Sequence, residues 1–227
     1  MRSKKIGMGL WMVFGFYLLS GALLVPAFGQ EVEKLIRIID AQQREIETLT
    51  ADFTQKKETR IVKKPLLSSG VVKFKRPDQI HWHYTKPESM EVAFSGAGVW
   101  IYYPGSFQAE KYKLGKNNRL TQSLEPLLAI FQKPFSQLSA GYTVIYEGLD
   151  AGRLHHFRLQ PRDAKVQKFL SGVDLRIDKT SGAIIRFIML EANGDRLNLE
   201  FKNLLINPPL TDDDLKIKIP PSVKVME

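Results

Sequence analysis

The sequence predicts a mainly β protein with helices: a single-domain antiparallel barrel or near-barrel, built as a curved sheet of about ten or eleven strands. A helical lid is expected over its hydrophobic cavity. Three observations lead there. Hydrophobicity alternates with a period of two over most of the chain. Turn signals cut those stretches into short runs, as antiparallel hairpins require. Helical periodicity is confined to one stretch near the start and one in the middle. A length of 227 residues with 44% hydrophobic and 25% charged residues suits one globular domain rather than a disordered chain.

The first element is not part of that domain. Arg2, Lys4 and Lys5 precede an apolar run from Ile6 to Phe28, and Ala27-Phe28-Gly29 places small residues before Gln30. Residues 1–29 therefore read as a signal peptide and 30–227 as the exported domain. An uncleaved anchor is the alternative. The signal carries three of the 33 basic residues and none of the 24 acidic ones, so the net charge of +9 shrinks to a scattered excess. No Lys/Arg block reads as a nucleic-acid patch. Zero cysteines exclude disulfides, thiolate metal sites and a cysteine nucleophile.

Glu31 to Thr48 reads as one amphipathic helix, with Val32, Leu35, Ile36, Ile39 and Ile46 on its apolar stripe. Strands follow at Leu49–Thr54, Leu66–Lys75, Gln79–Tyr84, Met90–Phe94, Val99–Tyr103 and Ala109–Leu114. Thr121 to Leu138 returns to helical spacing through Leu124, Leu127, Leu128, Phe131 and Leu138, with Pro134 as a kink or stop. Strands resume at Tyr142–Glu147, Arg153–Gln160, Val173–Asp178, Ala183–Glu191 and Arg196–Phe201, and a last one is expected at Leu215–Ile219. A sheet this large curls, and an amphipathic helix laid over its apolar face makes a container for an apolar ligand.

Residues two apart share a sheet face, so Val72, Phe74, Ile80, Trp82, Met90, Val92 and Phe94 should face one apolar interior. Phe53 and Trp100 extend the aromatic stripe, and Leu124, Leu127, Leu128 and Phe131 are the lid's contribution. Two roles are open to the stripe: plain core, or cavity lining. Arg76 stands at the apolar edge, in register with Val72 and Phe74. It is either a snorkelling side chain or a latch whose guanidinium bonds carbonyls of a helix lid.

The remaining polar candidates carry little chemistry. His81 and His83 share the outer face of one strand, and His155-His156 adds two more; without further ligands they read as surface imidazoles, and no metal or cofactor is expected. Asp212-Asp213-Asp214 lacks the spacing of a calcium loop and reads as a solvated turn. There is no G-x-S-x-G, H-E-x-x-H or Gly-rich phosphate loop, so no enzyme is expected.

Several fragments in order carry a resemblance: Asp52-Phe53-Thr54-Gln55-Lys56 after the helix, Phe74-Lys75-Arg76-Pro77, His81-Trp82, Thr85-Lys86-Pro87, Val99 to Pro104, and Ile219-Pro220-Pro221. The chain resembles the periplasmic outer-membrane lipoprotein carrier family, LolA, from about Leu35 to Val225. The resemblance implies an unclosed barrel with a helical lid, and a chaperone that binds the acyl chains of lipoproteins. Its implied partners are acylated lipoproteins, an inner-membrane lipoprotein-releasing ABC transporter, and an outer-membrane acceptor, with the carrier itself a monomer. The family's lid-contacting arginine falls on Arg76. Ile80 stands where the family has an aromatic residue. The related acceptor is a lipoprotein with an N-terminal cysteine, which zero cysteines exclude. A binding module for free lipid or glycolipid on the same scaffold is the alternative.

Overall fold

The computed structural model describes residues 27–96, 98–113, 129, 131–150 and 152–226. Two antiparallel meanders make up the sheet. The first runs β1 (Thr48–Glu58), β2 (Leu66–Lys75), β3 (Gln79–Lys86), β4 (Met90–Ser95), β5 (Gly98–Tyr103) and β6 (Gln108–Lys113). The second runs β7 (Tyr142–Asp150), β8 (Leu154–Pro161), β9 (Leu170–Asp178), β10 (Ile184–Glu191) and β11 (Arg196–Ile206). β11 returns to pair with β1, so the meanders join at the centre of the sheet. A short β12 (Lys224–Met226) adds parallel to β6. Among the described residues the sheet has 12 strands, and its edges, β12 and β7, do not pair: the barrel is unclosed.

Local devices shape the sheet. Where β1 meets β11 the register shifts between Thr50 and Asp52. Asn203 takes up the extra residue at φ 50°, a left-handed conformation that asparagine tolerates, and donates its amide to Asp52 at 2.7 Å. At Gly70 a Cβ would meet the His83 carbonyl oxygen at 1.9 Å, so only glycine lets β2 approach β3 there.

Alternation sets the two faces. Val72, Phe74, Ile80, Trp82, Val92 and Phe94 are buried in one cluster, with Met90 packed against it, together with Phe53 and Phe201. Above them lie α1 (Ala27–Arg44) and α2 (Phe135–Ser139); α3 (Ala164–Gln167) links β8 to β9. Ile39 of α1 and Phe135 of α2 are fully buried in the same cluster.

The outer face differs from expectation in three places. Trp100 is expected in the cavity, but Val99 and Ile101 are the inward pair on β5. Trp100 therefore points outward, opposite Ala93, with the Lys111 ammonium 5.1 Å from its ring centroid. The strand expected at Leu215–Ile219 does not form: Asp212–Leu215 is a 3₁₀ turn, and pairing resumes only at β12. Ile217 and Ile219 instead cover Tyr102, Ala109 and Val223 outside β5 and β6, so their alternation reports burial without pairing. His81 is buried, not surface-facing, with Nε2 2.8 Å from Glu91; His83 is exposed as expected.

The helices also depart from expectation. α1 ends at Arg44, short of Thr48, because Glu45 and Ile46 close a tighter turn on the Gln42 and Gln43 carbonyls. The middle stretch breaks at Pro134, as its proline demands, and restarts as α2. Leu124, Leu127 and Leu128 lie outside the described residues, as does the apolar run up to Pro26. No helix among the described residues is long and apolar enough to cross a membrane.

Candidate functional site

Arg76 sits on the β2–β3 turn beneath the end of α1. Its backbone N–H donates to the Glu47 carbonyl at 2.9 Å. Its Nε donates to the Ile46 carbonyl at 2.7 Å and its Nη2 to the Gln43 carbonyl at 2.6 Å. These acceptors belong to the last turn of α1 and the turn just after it, where helix carbonyls lack intrahelical donors and the helix dipole is negative. A guanidinium suits that position: its fork donates to two carbonyls at once, and its charge complements the dipole. The bonds are charge-assisted and half-buried, and such bonds contribute about 1.5–3 kcal/mol each before solvent screening.

Three further residues of α1 complete the fastening. Asp40 and Gln43 lie on the stripe of Ile36 and Ile39, and both are buried. Gln43 donates to the Gly182 carbonyl at 3.0 Å and accepts the Phe135 N–H at 2.9 Å. Asp40 accepts the Ser136 N–H at 3.0 Å. Together they satisfy the first orphan N–H groups of α2, which has no cap of its own from Pro134. Gln42 donates to the Lys179 and Thr180 carbonyls of the β9–β10 turn. Gly182 makes that approach possible: at φ +72° its missing Cβ would lie 2.8 Å from the Gln42 Cβ. Besides its apolar face, α1 is thus pinned to the β2–β3 turn by its terminal carbonyls, and to the β9–β10 turn and α2 by its polar side chains. Sequence reasoning missed Asp40, Gln42 and Gln43. Their signal was present: polar residues on or beside the core-facing stripe of an amphipathic helix.

Beneath the fastened helices the interior is aromatic. Phe131 packs against Phe74, Trp82 and Phe201, with ring centroids 5.8, 5.9 and 5.7 Å away. Phe53 meets Trp82 edge-on at 4.7 Å and Tyr84 at 4.9 Å. Phe135, which sequence reasoning did not select, packs on Phe157 at 4.7 Å. Burial pushes the Tyr84 phenol up to about 12. The recess left beside Arg76, between Gln43, Ile46, Leu49, Phe74, Phe131 and Ala183, measures about 40 Å³, room for one or two waters at most. Among the described residues, helical side chains fill the interior around Phe131 and Phe135 in this conformation. The contacts that fill it are apolar, and polar bonds at the helix ends add to them in holding the helices down.

The structure brings together Arg76, Phe53, Val72, Phe74, Ile80, Trp82, Met90, Val92, Phe94 and Phe131 on one side of the sheet, and leaves Trp100 on the other. Among the described residues no group of three or more His, Cys, Asp or Glu side chains is placed to hold a metal. His81 and His156 instead bond single carboxylates, Glu91 and Asp174.

The chain has relatives. The profile of the family described as "Outer membrane lipoprotein carrier protein LolA" matches residues 44–218. The outer-membrane lipoprotein carrier protein of Pseudomonas aeruginosa PAO1 is 28% identical over 196 residues, covering 86% of this chain and 87% of the relative. That of Idiomarina loihiensis is 23% identical over 203 residues, covering 88% and 90%. Among solved structures, an uncharacterized conserved protein from Thermus thermophilus superposes with a TM-score of 0.55 at 16% identity, over 87% of this chain and 99% of that one. A chain of the Pseudomonas aeruginosa MucA/MucB complex superposes with a TM-score of 0.52 at 16% identity, over 86% of this chain and 63% of that one. At these identities the structural likeness shows the fold alone. The profile match, spanning most of the length and both meanders, shows more: the chain belongs to the outer membrane lipoprotein carrier family LolA.

Proposed function

We propose that this chain is a periplasmic carrier that shelters the acyl chains of lipoproteins between the inner and the outer membrane. Residues 1–29 act as its export signal and residues 30–227 as the carrier domain. Cargo comes from a lipoprotein-releasing ABC transporter of the inner membrane and passes to an acceptor at the outer membrane. No catalytic step and no cofactor is part of this reading.

The observation that carries it is the Arg76 clasp over an aromatic interior. Acyl chains need an apolar space that exists only when they are present, since an empty cavity of that size is costly. Helical segments that fill the sheet with Phe131 and Phe135, and whose ends are fastened by polar bonds, meet that need. Entry of acyl chains displaces the aromatic side chains and breaks the bonds of Arg76. Closure restores both, which favours release to an acceptor with higher affinity. The closed state thus opposes binding and assists delivery. Phe53, Val72, Phe74, Ile80, Trp82, Met90, Val92 and Phe94 line the space that opens, and Phe131 is the ring that moves out of it.

Native mass spectrometry of the protein purified from its own periplasm tests this. A bound triacylated polypeptide is the expected finding. A bound free lipid or glycolipid, or no apolar ligand under any loading condition, contradicts lipoprotein carriage.

A further inference from the structure

The end of the sheet remote from Arg76 carries a second feature that cargo carriage does not use. β1 and β2 pair as far as Lys57 and Leu66, well past the last core residue of each, Phe53 and Val72. The hairpin they form projects, and its tip is Arg60-Ile61-Val62-Lys63-Lys64-Pro65-Leu66-Leu67. Ile61 is 93% exposed, Leu67 65% and Leu66 55%. A second exposed segment lies at the same end. The Arg60 N–H bonds Asp195 of the β10–β11 turn, and the Ala192 N–H of that turn bonds the Phe169 carbonyl. Phe169 is 76% exposed, beside Lys165 and Lys168 of the α3 segment.

Large apolar side chains this exposed cost free energy unless something covers them. The pattern says what. Lysine stands among the exposed apolar residues: Lys63 and Lys64 lie between Ile61-Val62 and Leu66-Leu67, and Lys168 precedes Phe169. Among the described residues Lys63, Lys64 and Lys168 make no ion pair. Three nearby carboxylates are engaged: Asp195 accepts the Arg60 N–H, Asp163 the Lys165 N–H, and Glu58 pairs with Lys56. Lysine is depleted from protein–protein interfaces, whereas lysine beside Ile, Leu and Phe is the composition of segments that seat at a membrane surface, apolar groups among the acyl chains and ammonium groups at the phosphates.

We propose that the β1–β2 hairpin tip, with Phe169, Lys165 and Lys168 beside it, docks the protein on anionic phospholipid bilayers. Its place at the end of the sheet opposite the Arg76 clasp lets the protein rest on a membrane while the helices open.

Co-sedimentation of the periplasmically purified, cargo-free protein with vesicles of phosphatidylethanolamine and phosphatidylglycerol tests this. The wild type should partition onto these vesicles and not onto phosphatidylcholine alone, and lose binding as salt rises and the screening length falls from about 10 Å to about 3 Å. Lys63→Ala/Lys64→Ala should weaken partition roughly 30-fold, at about fivefold per lysine. Ile61→Ser/Leu67→Ser should weaken it at least about tenfold, through lost apolar contact. All four positions are on the surface, so an unchanged melting temperature marks the variants as folded. No partition of the wild type, equal partition of either variant, or a self-association that these substitutions abolish would overturn the proposal. Because no cargo is present, a negative result here leaves lipoprotein carriage standing, and a failure to capture cargo leaves docking standing.

Discussion

Arg76 spends its guanidinium on two carbonyls at the end of α1, Ile46 and Gln43, the second of which it shares with the Ile46 N–H. Replacing it with leucine removes both bonds and leaves those carbonyls at a half-buried rim. We expect Arg76→Leu to lose roughly 2 kcal/mol of stability in urea. Because only the closed state makes the bonds, acyl-chain affinity should rise by up to roughly 30-fold, and release to acceptor membranes should slow in step. Unchanged stability with unchanged release would mean that Arg76 is a snorkelling surface residue. Gln43 tests the other side of the clasp. Gln43→Ala strands the buried Phe135 N–H and the Gly182 carbonyl together, and an unsatisfied buried group costs about 1–3 kcal/mol. Its urea midpoint should fall by more than that of Gln42→Ala, whose bonds are exposed.

The elements divide into a rigid sheet and a fastened cover. α2 has five residues and borrows its cap from Asp40 and Gln43 of α1, so the two should loosen as one unit. Phe131→Ala removes the ring that touches Phe74, Trp82 and Phe201. A fluorescent fatty acid should then bind more tightly, since the ligand no longer displaces that ring; weaker binding would show that Phe131 is part of the ligand's own surface. On the outer face, the hydrogen bond from His81 holds the Glu91 carboxyl below its ordinary 4.5, against the opposing effect of burial. A depressed carboxylate contributes stability above its unfolded value, and that stability is lost as pH falls through the folded one. Stability should therefore decline below about pH 4.5, and Glu91→Gln should make the decline shallower in urea titrations between about pH 3 and 6. Other depressed carboxylates, such as Asp178 and Asp212, keep it from vanishing.

Across the molecule, what was legible in the sequence was whatever had contrast between its two faces. Val72-Lys73-Phe74-Lys75 and Ile80-His81-Trp82-His83 alternate apolar with polar, so the register of β2 and β3 could be read, and Arg76 with it. Val99 to Tyr103 is apolar on both faces because the C-terminal segment covers the outer one, so Trp100 could not be assigned by alternation. Ile217 and Ile219 alternate for the same reason without belonging to a strand. Asp40 and Gln43 were passed over because polar residues on an apolar stripe gain meaning only once α2 is seen to end on them. The filled interior could not be read at all: whether an aromatic stripe is core or lining depends on what the helices insert, not on the stripe.

Acyl chains, on this reading, occupy the space where Phe131 now meets Trp82. After removal of residues 1–29 two tryptophans remain, Trp82 inside and Trp100 outside. In a Trp100→Phe protein, a lipoprotein or fatty acid brominated near the end of its acyl chain should quench the remaining fluorescence on binding, because bromine quenches at contact. Binding that leaves Trp82 unquenched would place the acyl chains elsewhere and contradict the proposed carriage.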